Sequence, residues 1–266
     1  MILRPNGLGY EMKRILVASL AVVGVASGAA FAADLPAPAQ QPAYYKAPPP
    51  PPPTWTGCYI NGGGGYGMWS QDHSTIVAAT GASIAPSTTA GGNGWFGVVG
   101  GGCDYQFRAL NTWDVVIGAF GDYDFMNIKG SLGGPFSTAF AGNENERSAW
   151  SAGARAGLLV TPTLLTYVNG GYTQTQFDQV NFGALSLAAN TYDGWFLGGG
   201  TEYAVTWLPL PGLFWRNEYR YSSYSYANVG IIGAPAFDVR ADKQVQTIAT
   251  ELVWRFNWTA PLAARY

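Results

Sequence analysis

The sequence predicts an all-β chain, an eight-stranded antiparallel up-and-down transmembrane β-barrel, on three observations. Five stretches hold their charges on one parity and their large apolar residues on the other. The chain is 15% aromatic but only 11% charged, against about 25% charged in a soluble domain. The connections between candidate strands alternate between short and long. A period of two is the mark of a strand, whose successive side chains point to opposite faces. Aromatic faces on long strands place lipid outside and charge inside.

In chain order, Met12, Lys13 and Arg14 open a basic segment, Ile15 to Ala26 form a short apolar run, and Ala30-Phe31-Ala32 supplies a small-x-small cleavage site. Residues 1–32 therefore read as a signal peptide with translation starting at Met12. The run is shorter than the roughly 20 residues a spanning helix needs. Its removal leaves 11 basic and 15 acidic residues. No basic run points to nucleic acid. Residues 33–54, with Pro48 to Pro53, read as an extended periplasmic linker. A ligand for a proline-reading module or a cell-wall attachment is the alternative.

Residues 55–258 supply eight strand candidates, at about 57–69, 94–106, 113–128, 146–160, 164–176, 192–205, 213–225 and 243–258. Trp113, Val115, Ile117, Tyr123 and Phe125 oppose Asp114, Asp122 and Asp124. Around Trp150, Ala152, Ala154, Ala156 and Leu158 oppose Arg147 and Arg155. Trp195, Leu197, Tyr203 and Val205 oppose Glu202. Leu213, Trp215, Tyr219 and Tyr221 oppose Arg216, Glu218 and Arg220. Ile248, Leu252, Trp254 and Phe256 oppose Glu251 and Arg255. Short connections hold Pro162, Pro209 and Pro211, where a missing N–H does no harm. Long ones, near 70–92, 129–145, 177–191 and 224–241, fit external loops. Glycines inside strands fit a tightly coiled barrel with aromatic side chains lying across them.

The inward parity collects Arg147, Arg155, Arg216, Arg220 and Arg255 against Asp114, Asp122, Asp124, Glu202, Glu218 and Glu251. That near-balance predicts a lumen filled by ion pairs, because unpaired buried charge is costly. Counting from the short turns predicts the pairs Arg220–Glu251 and Glu202–Arg216. Cys58 and Cys103 fall at similar depth on adjacent strands, which predicts a disulfide. Two free thiols facing lipid are the alternative.

Catalytic readings are weaker. The glycine runs lack the strand-to-helix context of a phosphate loop. His73 beside Ser74 sits in a loop without a preformed oxyanion hole. One histidine and two cysteines make no ordinary zinc site. Asp122 and Asp124 share a face, but lumen arginines account for them.

Several motifs carry a resemblance: Ala-Asp-Leu-Pro at Ala33, Lys-Ala-Pro-Pro-Pro at Lys46, Trp-Thr-Gly-Cys-Tyr-Ile at Trp55, Gly-Gly-Cys-Asp-Tyr-Gln at Gly101, Asn-Gly-Gly-Tyr at Asn169, Glu-Tyr-Arg-Tyr at Glu218 and Trp-Arg-Phe at Trp254. In their order and spacing the chain resembles the small porin-like outer-membrane immunogenic proteins of alphaproteobacteria. The resemblance implies an eight-stranded outer-membrane barrel, antigenic loops and no enzymatic activity. Family members end on the aromatic residue closing the last strand, whereas here Thr259 to Tyr266 follow Trp258 as a tail. Trp258 and Tyr266 are the alternative signals for the insertion machinery.

The expectation is a monomeric surface barrel that supports envelope integrity and makes external contacts through its loops. It carries no cofactor and no metal. Its partners are outer-membrane lipid and lipopolysaccharide, the barrel-insertion machinery, and external molecules met by the loops. A narrow porin for small solutes is the rival.

Overall fold

The computed structural model describes residues 53–109, 112–137 and 140–256. The signal peptide, residues 33–52 of the linker and the tail with Trp258 lie outside the described residues. Among the described residues all regular structure is strand. Eight strands are long: β1 (Gly57–Val77), β2 (Thr88–Ala109), β3 (Trp113–Gly133), β4 (Ala141–Thr161), β5 (Leu164–Phe177), β8 (Asn190–Ala204), β9 (Leu213–Tyr224) and β11 (Phe237–Phe256). Each pairs antiparallel with its neighbour, and β1 pairs with both β2 and β11, which closes the ring. Closure leaves no long unpaired edge in the wall, as a spanning sheet requires. Short strands β6 (Val180–Asn181), β7 (Ser186–Leu187) and β10 (Ala227–Ile232) lie at the long-loop end, where β10 pairs with β11 and β7.

The outward face is apolar and bounded by two aromatic girdles. Near the loop end stand Tyr66, Trp95, Tyr123, Phe125, Trp150, Tyr172, Trp195 and Tyr221, in edge or tilted contact along β3 for Tyr123–Phe125 and across strands for the others, as in Tyr66–Trp95 at 5.1 Å and Trp150–Tyr172 at 5.3 Å. Near the short turns stand Tyr105, Phe107, Trp113, Tyr203, Trp215 and Trp254. Trp95 is 73% exposed. Trp95 and Tyr105 are ten residues apart on β2. At about 3.3 Å per residue and a tilt near 40°, that is about 25 Å of height, the thickness of an outer-membrane apolar band.

The strands run well past the ends their alternation predicted. β1 continues to Val77, β2 starts at Thr88 and β4 starts at Ala141. Beyond the loop-side girdle the sense of the alternation reverses on β1, β3 and β11, where Trp69, Ile128, Leu132, Val239, Ala241 and Val245 pack inside and the outward positions turn polar, so an apolar parity no longer marks the lipid face while the hydrogen-bonded ladder continues. The expected loops are correspondingly shorter. Ile76 and Ile231 are buried in the collar so formed, while Phe136, Phe140 and Ile232 are exposed. Thr75 donates its hydroxyl to the Pro135 carbonyl and ties β1 to the β3–β4 connection.

Glycine allows close approach at two lumen positions. A Cβ on Gly65 would meet the Phe96 ring at 2.6 Å, and one on Gly102 would meet the Tyr59 hydroxyl at 2.7 Å. Larger residues there would push those rings out of the interior. Cys58 and Cys103 are register partners and form a disulfide on the outward face near the short turns.

Candidate functional site

The interior is layered. Near the short turns, Trp55, Tyr59, Val116, Leu165, Tyr167, Phe214 and Val253 form an aromatic floor. Trp55 is fully buried. Its indole donates to the Pro162 carbonyl at 3.2 Å, and its ring packs on Phe214 at 4.8 Å.

Above this floor three arginines share three carboxylates. Arg155 donates to Glu202 at 3.0 Å and to Asp104 through Nε at 2.9 Å and through Nη2. Arg255 donates to Glu202 at 2.6 Å and Asp104 at 2.6 Å, and its Nη1 also reaches the Trp55 carbonyl at 3.2 Å. Arg216 donates to Glu202 at 3.0 Å and lies 3.5 Å from Glu251, which also accepts from Asn61 at 2.6 Å. The Tyr59 ring faces all three guanidinium groups at 4.8–5.0 Å. Arg155 on β4 and Arg255 on β11 each bridge Asp104 on β2 and Glu202 on β8, four strands spaced two apart around the ring, so together the bonds link opposite walls. Low surrounding polarity makes each pair strong, and makes any unpaired member costly.

The next layer centres on Arg220, which donates to Asp122 at 2.8 Å, Glu218 at 2.8 Å and Ser151 at 3.1 Å. Glu218 also accepts from the Tyr167 hydroxyl at 2.7 Å, and Arg220 lies over Phe196 at 4.5 Å. Asp124 is buried on the same face of β3. Above the loop-side girdle, Lys243 is fully buried. It donates to Glu144 at 2.7 Å and to Gln71, inside a box of Phe177, Trp69 and Tyr192 at 3.7, 5.1 and 5.1 Å. Glu146, also fully buried, accepts from Thr175 at 2.7 Å.

Asp122, Asp124, Arg155, Glu202, Arg216, Glu218, Arg220, Glu251 and Arg255 thus lie in the interior. Two expected members do not. Arg147 is 71% exposed on the outer wall, because β4 switches parity at Ser148 and Ala149, both of which face inward. The β3–β4 and β4–β5 registers shift beside this bulge. A bulge reverses the facing of every residue beyond it. Asp114 lies at the short-turn rim and pairs with exposed Arg108 at 3.2 Å. The pair Glu202–Arg216 forms, but Arg220–Glu251 does not. Glu251 is in register with Arg216, and Arg220 with Thr247, so counting from the turns misjudged the stagger.

Sequence reasoning also missed Asp104, Glu144, Glu146 and Lys243. Asp104 was readable, since it alternates with Cys103 and Tyr105. Glu144 and Glu146 lie beyond the bulge, where β4 is polar on both faces, and Lys243 lies beyond the girdle, where the apolar parity of β11 points inward. Their inclusion overturns the expected balance. The described interior holds five cations (Arg155, Arg216, Arg220, Arg255, Lys243) against eight carboxylates (Asp104, Asp122, Asp124, Glu144, Glu146, Glu202, Glu218, Glu251). The Arg155–Arg216–Arg255 layer is balanced, and the excess lies above it.

No family model matches the chain. It is 27% identical over 229 residues to the 31 kDa outer-membrane immunogenic protein of Brucella melitensis, covering 82% of this chain and 88% of that one. The protein of the same name from Brucella suis matches to the same extent. The protein is an outer-membrane β-barrel. The relatives bear out the resemblance read from its motifs, and the two girdles set its depth in the bilayer. Among solved structures it is similar to the outer-membrane protein OprG of Pseudomonas aeruginosa, at 13% identity and a TM-score of 0.48, over 77% of this chain and 99% of that one.

Proposed function

We propose that this surface barrel is non-conducting and non-enzymatic, and that it works through its loop end and its bulk in the membrane. The observation that carries the reading is the layer in which Arg155, Arg216 and Arg255 share Glu202, Asp104 and Glu251 across the lumen above fully buried Trp55. An eight-stranded barrel leaves room for little beyond side chains, and this layer spans the width between opposite walls. External contacts then fall to the collar, where Phe136, Phe140, Tyr226 and Ile232 are exposed. The reading includes export as a precursor, a periplasmic proline-rich segment and a monomeric barrel delivered by the insertion machinery.

The rival is a narrow porin, favoured by the excess of interior carboxylates, which would make such a path cation-selective. Planar-bilayer recording of the refolded protein separates the two. The plugged reading expects a silent bilayer. Steady, cation-selective single-channel steps would overturn it.

A further inference from the structure

The outer wall changes character just above the loop-side girdle. On β3, β4 and β5 the outward positions become Asn127, Lys129, Asn145, Arg147, Gln174 and Gln176. Arg147 stands three residues above Trp150, roughly 8 Å higher along a tilted strand. Lys129 stands four above Phe125. That is the depth of lipid headgroups, on the side where the long loops mark the cell exterior.

Arg147 is there because of the bulge. Without the parity switch at Ser148 and Ala149 its guanidinium would enter the lumen, and re-aiming a side chain is a recurrent use of bulges. Lys129 is in register with Asn145, which places it diagonally beside Arg147 on the same face, roughly 7–8 Å away between backbones. Both cations have donors to spare. Lys129 makes no ion pair among the described residues. Arg147 meets only Asp178, at 3.9 Å, and that carboxylate is held separately by Asn145 at 3.0 Å. An exposed pair of that length contributes little. Beside Arg147 opens a crevice of about 390 Å³, lined also by Gln176, Phe177, Asp178, Ala189, Asn190 and Thr191. Two carboxylates border these cations, Asp178 beside Arg147 and the exposed Asp193, which already accepts from Tyr172 and Gln174, whereas on the far side Asp72 and Asp242 face each other in register, both exposed.

We propose that Lys129 and Arg147 bind a phosphate of lipid A, the membrane anchor of lipopolysaccharide, in the outer leaflet. The Asn127 and Gln176 amides beside them donate to the same headgroup, and Phe125 and Trp150 lie beneath, at the level of its acyl chains. Arginine and lysine suit this ligand because a guanidinium fork and an ammonium both make charge-assisted bonds to phosphate oxygens. The site rests on the outer-membrane placement and is independent of whether the lumen conducts.

The test is retention of lipid A by folded barrel in mild detergent, read by native mass spectrometry after mixing with bis-phosphorylated or phosphatase-treated lipid A. The wild type should hold the phosphorylated form, and K129Q/R147Q should hold it about tenfold to a hundredfold less. Arg240→Gln, which removes an outward cation on β11, should leave retention unchanged, and Arg147→Lys should restore most of it. Lys129→Gln alone, at an exposed and unpaired position, provides a folded variant whatever Arg147→Gln does to the bulge. Equal retention by wild type, Lys129→Gln and K129Q/R147Q would overturn the site. So would equal retention of dephosphorylated lipid A, or binding of inorganic phosphate without lipid A.

Discussion

Arg255 and Lys243 stand twelve residues apart on β11, both fully buried, and are neutralised in different ways. Arg255 belongs to a shared layer in which Glu202 serves three guanidinium groups and Asp104 serves two. Lys243 has one ionic partner, Glu144, and is otherwise surrounded by aromatic faces and Gln71. Arginine's planar fork can bridge several acceptors from different strands, so one layer knits the wall across the lumen. An ammonium is a compact charge that a cage can surround. The first region lies within the bilayer and must be neutral by itself. The second lies in the collar above it, where polar strands and small added strands close over the top.

The comparison can be broken by removing one acid from each region. Glu202→Gln should have the largest effect, about 5 kcal/mol or more in urea unfolding from lipid vesicles. It takes one carboxylate from three cations at once, leaving Arg155 and Arg255 to share Asp104, and deleting Arg216 as well should not restore stability, because those two remain one acceptor short. If Glu202→Gln/Arg216→Met recovers the wild-type midpoint, the layer is a set of independent pairs and the contrast with Lys243 disappears.

Lys243→Met should cost about 3 kcal/mol, by leaving Glu144 buried without its cation. Here the double variant Lys243→Met/Glu144→Leu should regain most of the loss, since an isolated pair can be replaced by apolar volume. Failure to recover would mean that the aromatic box needs the cation itself. The smallest effect belongs to the rim. Arg108→Ala should change stability by less than about 1 kcal/mol, and the change should shrink in high salt, because the Arg108–Asp114 pair is solvated. A larger, salt-insensitive loss would extend the shared layer down to the short turns.

Legibility in the sequence followed the bilayer. Where lipid touched the wall, the outward residues are mostly apolar, with Asn217, Thr201 and Thr250 the polar neighbours among them, and the faces of Trp113 to Phe125 or Leu213 to Tyr221 could be read by parity from their charges and large apolar residues. The same rule placed Arg155, Glu202, Arg216 and Arg255 inside. It failed at Arg147 because a bulge shifts parity without a composition signal of its own. It failed at Glu144 because polar residues line both faces of β4 there, and at Lys243 because above the bilayer the apolar parity of β11 points inside, with Lys243 between Ala241 and Val245. Pair identities such as Glu251 with Arg216 depend on stagger around a closed ring, which no single strand encodes.

The Cys58–Cys103 bond has a consequence for assembly. β1 and β2 are the glycine-richest strands, with Gly62 to Gly65 facing Phe96 to Val99 and Gly100 to Gly102 facing Tyr59 to Asn61. Strands so poor in side chains hold their alignment weakly, and a slip of one residue would turn every lumen group toward lipid. A covalent bond between direct partners forbids that slip in the first hairpin. β1 is also the strand on which β11 must dock to close the ring. The bond therefore hands a correctly phased template to the last strand, and supplies in sulfur the positional information that the glycines omit.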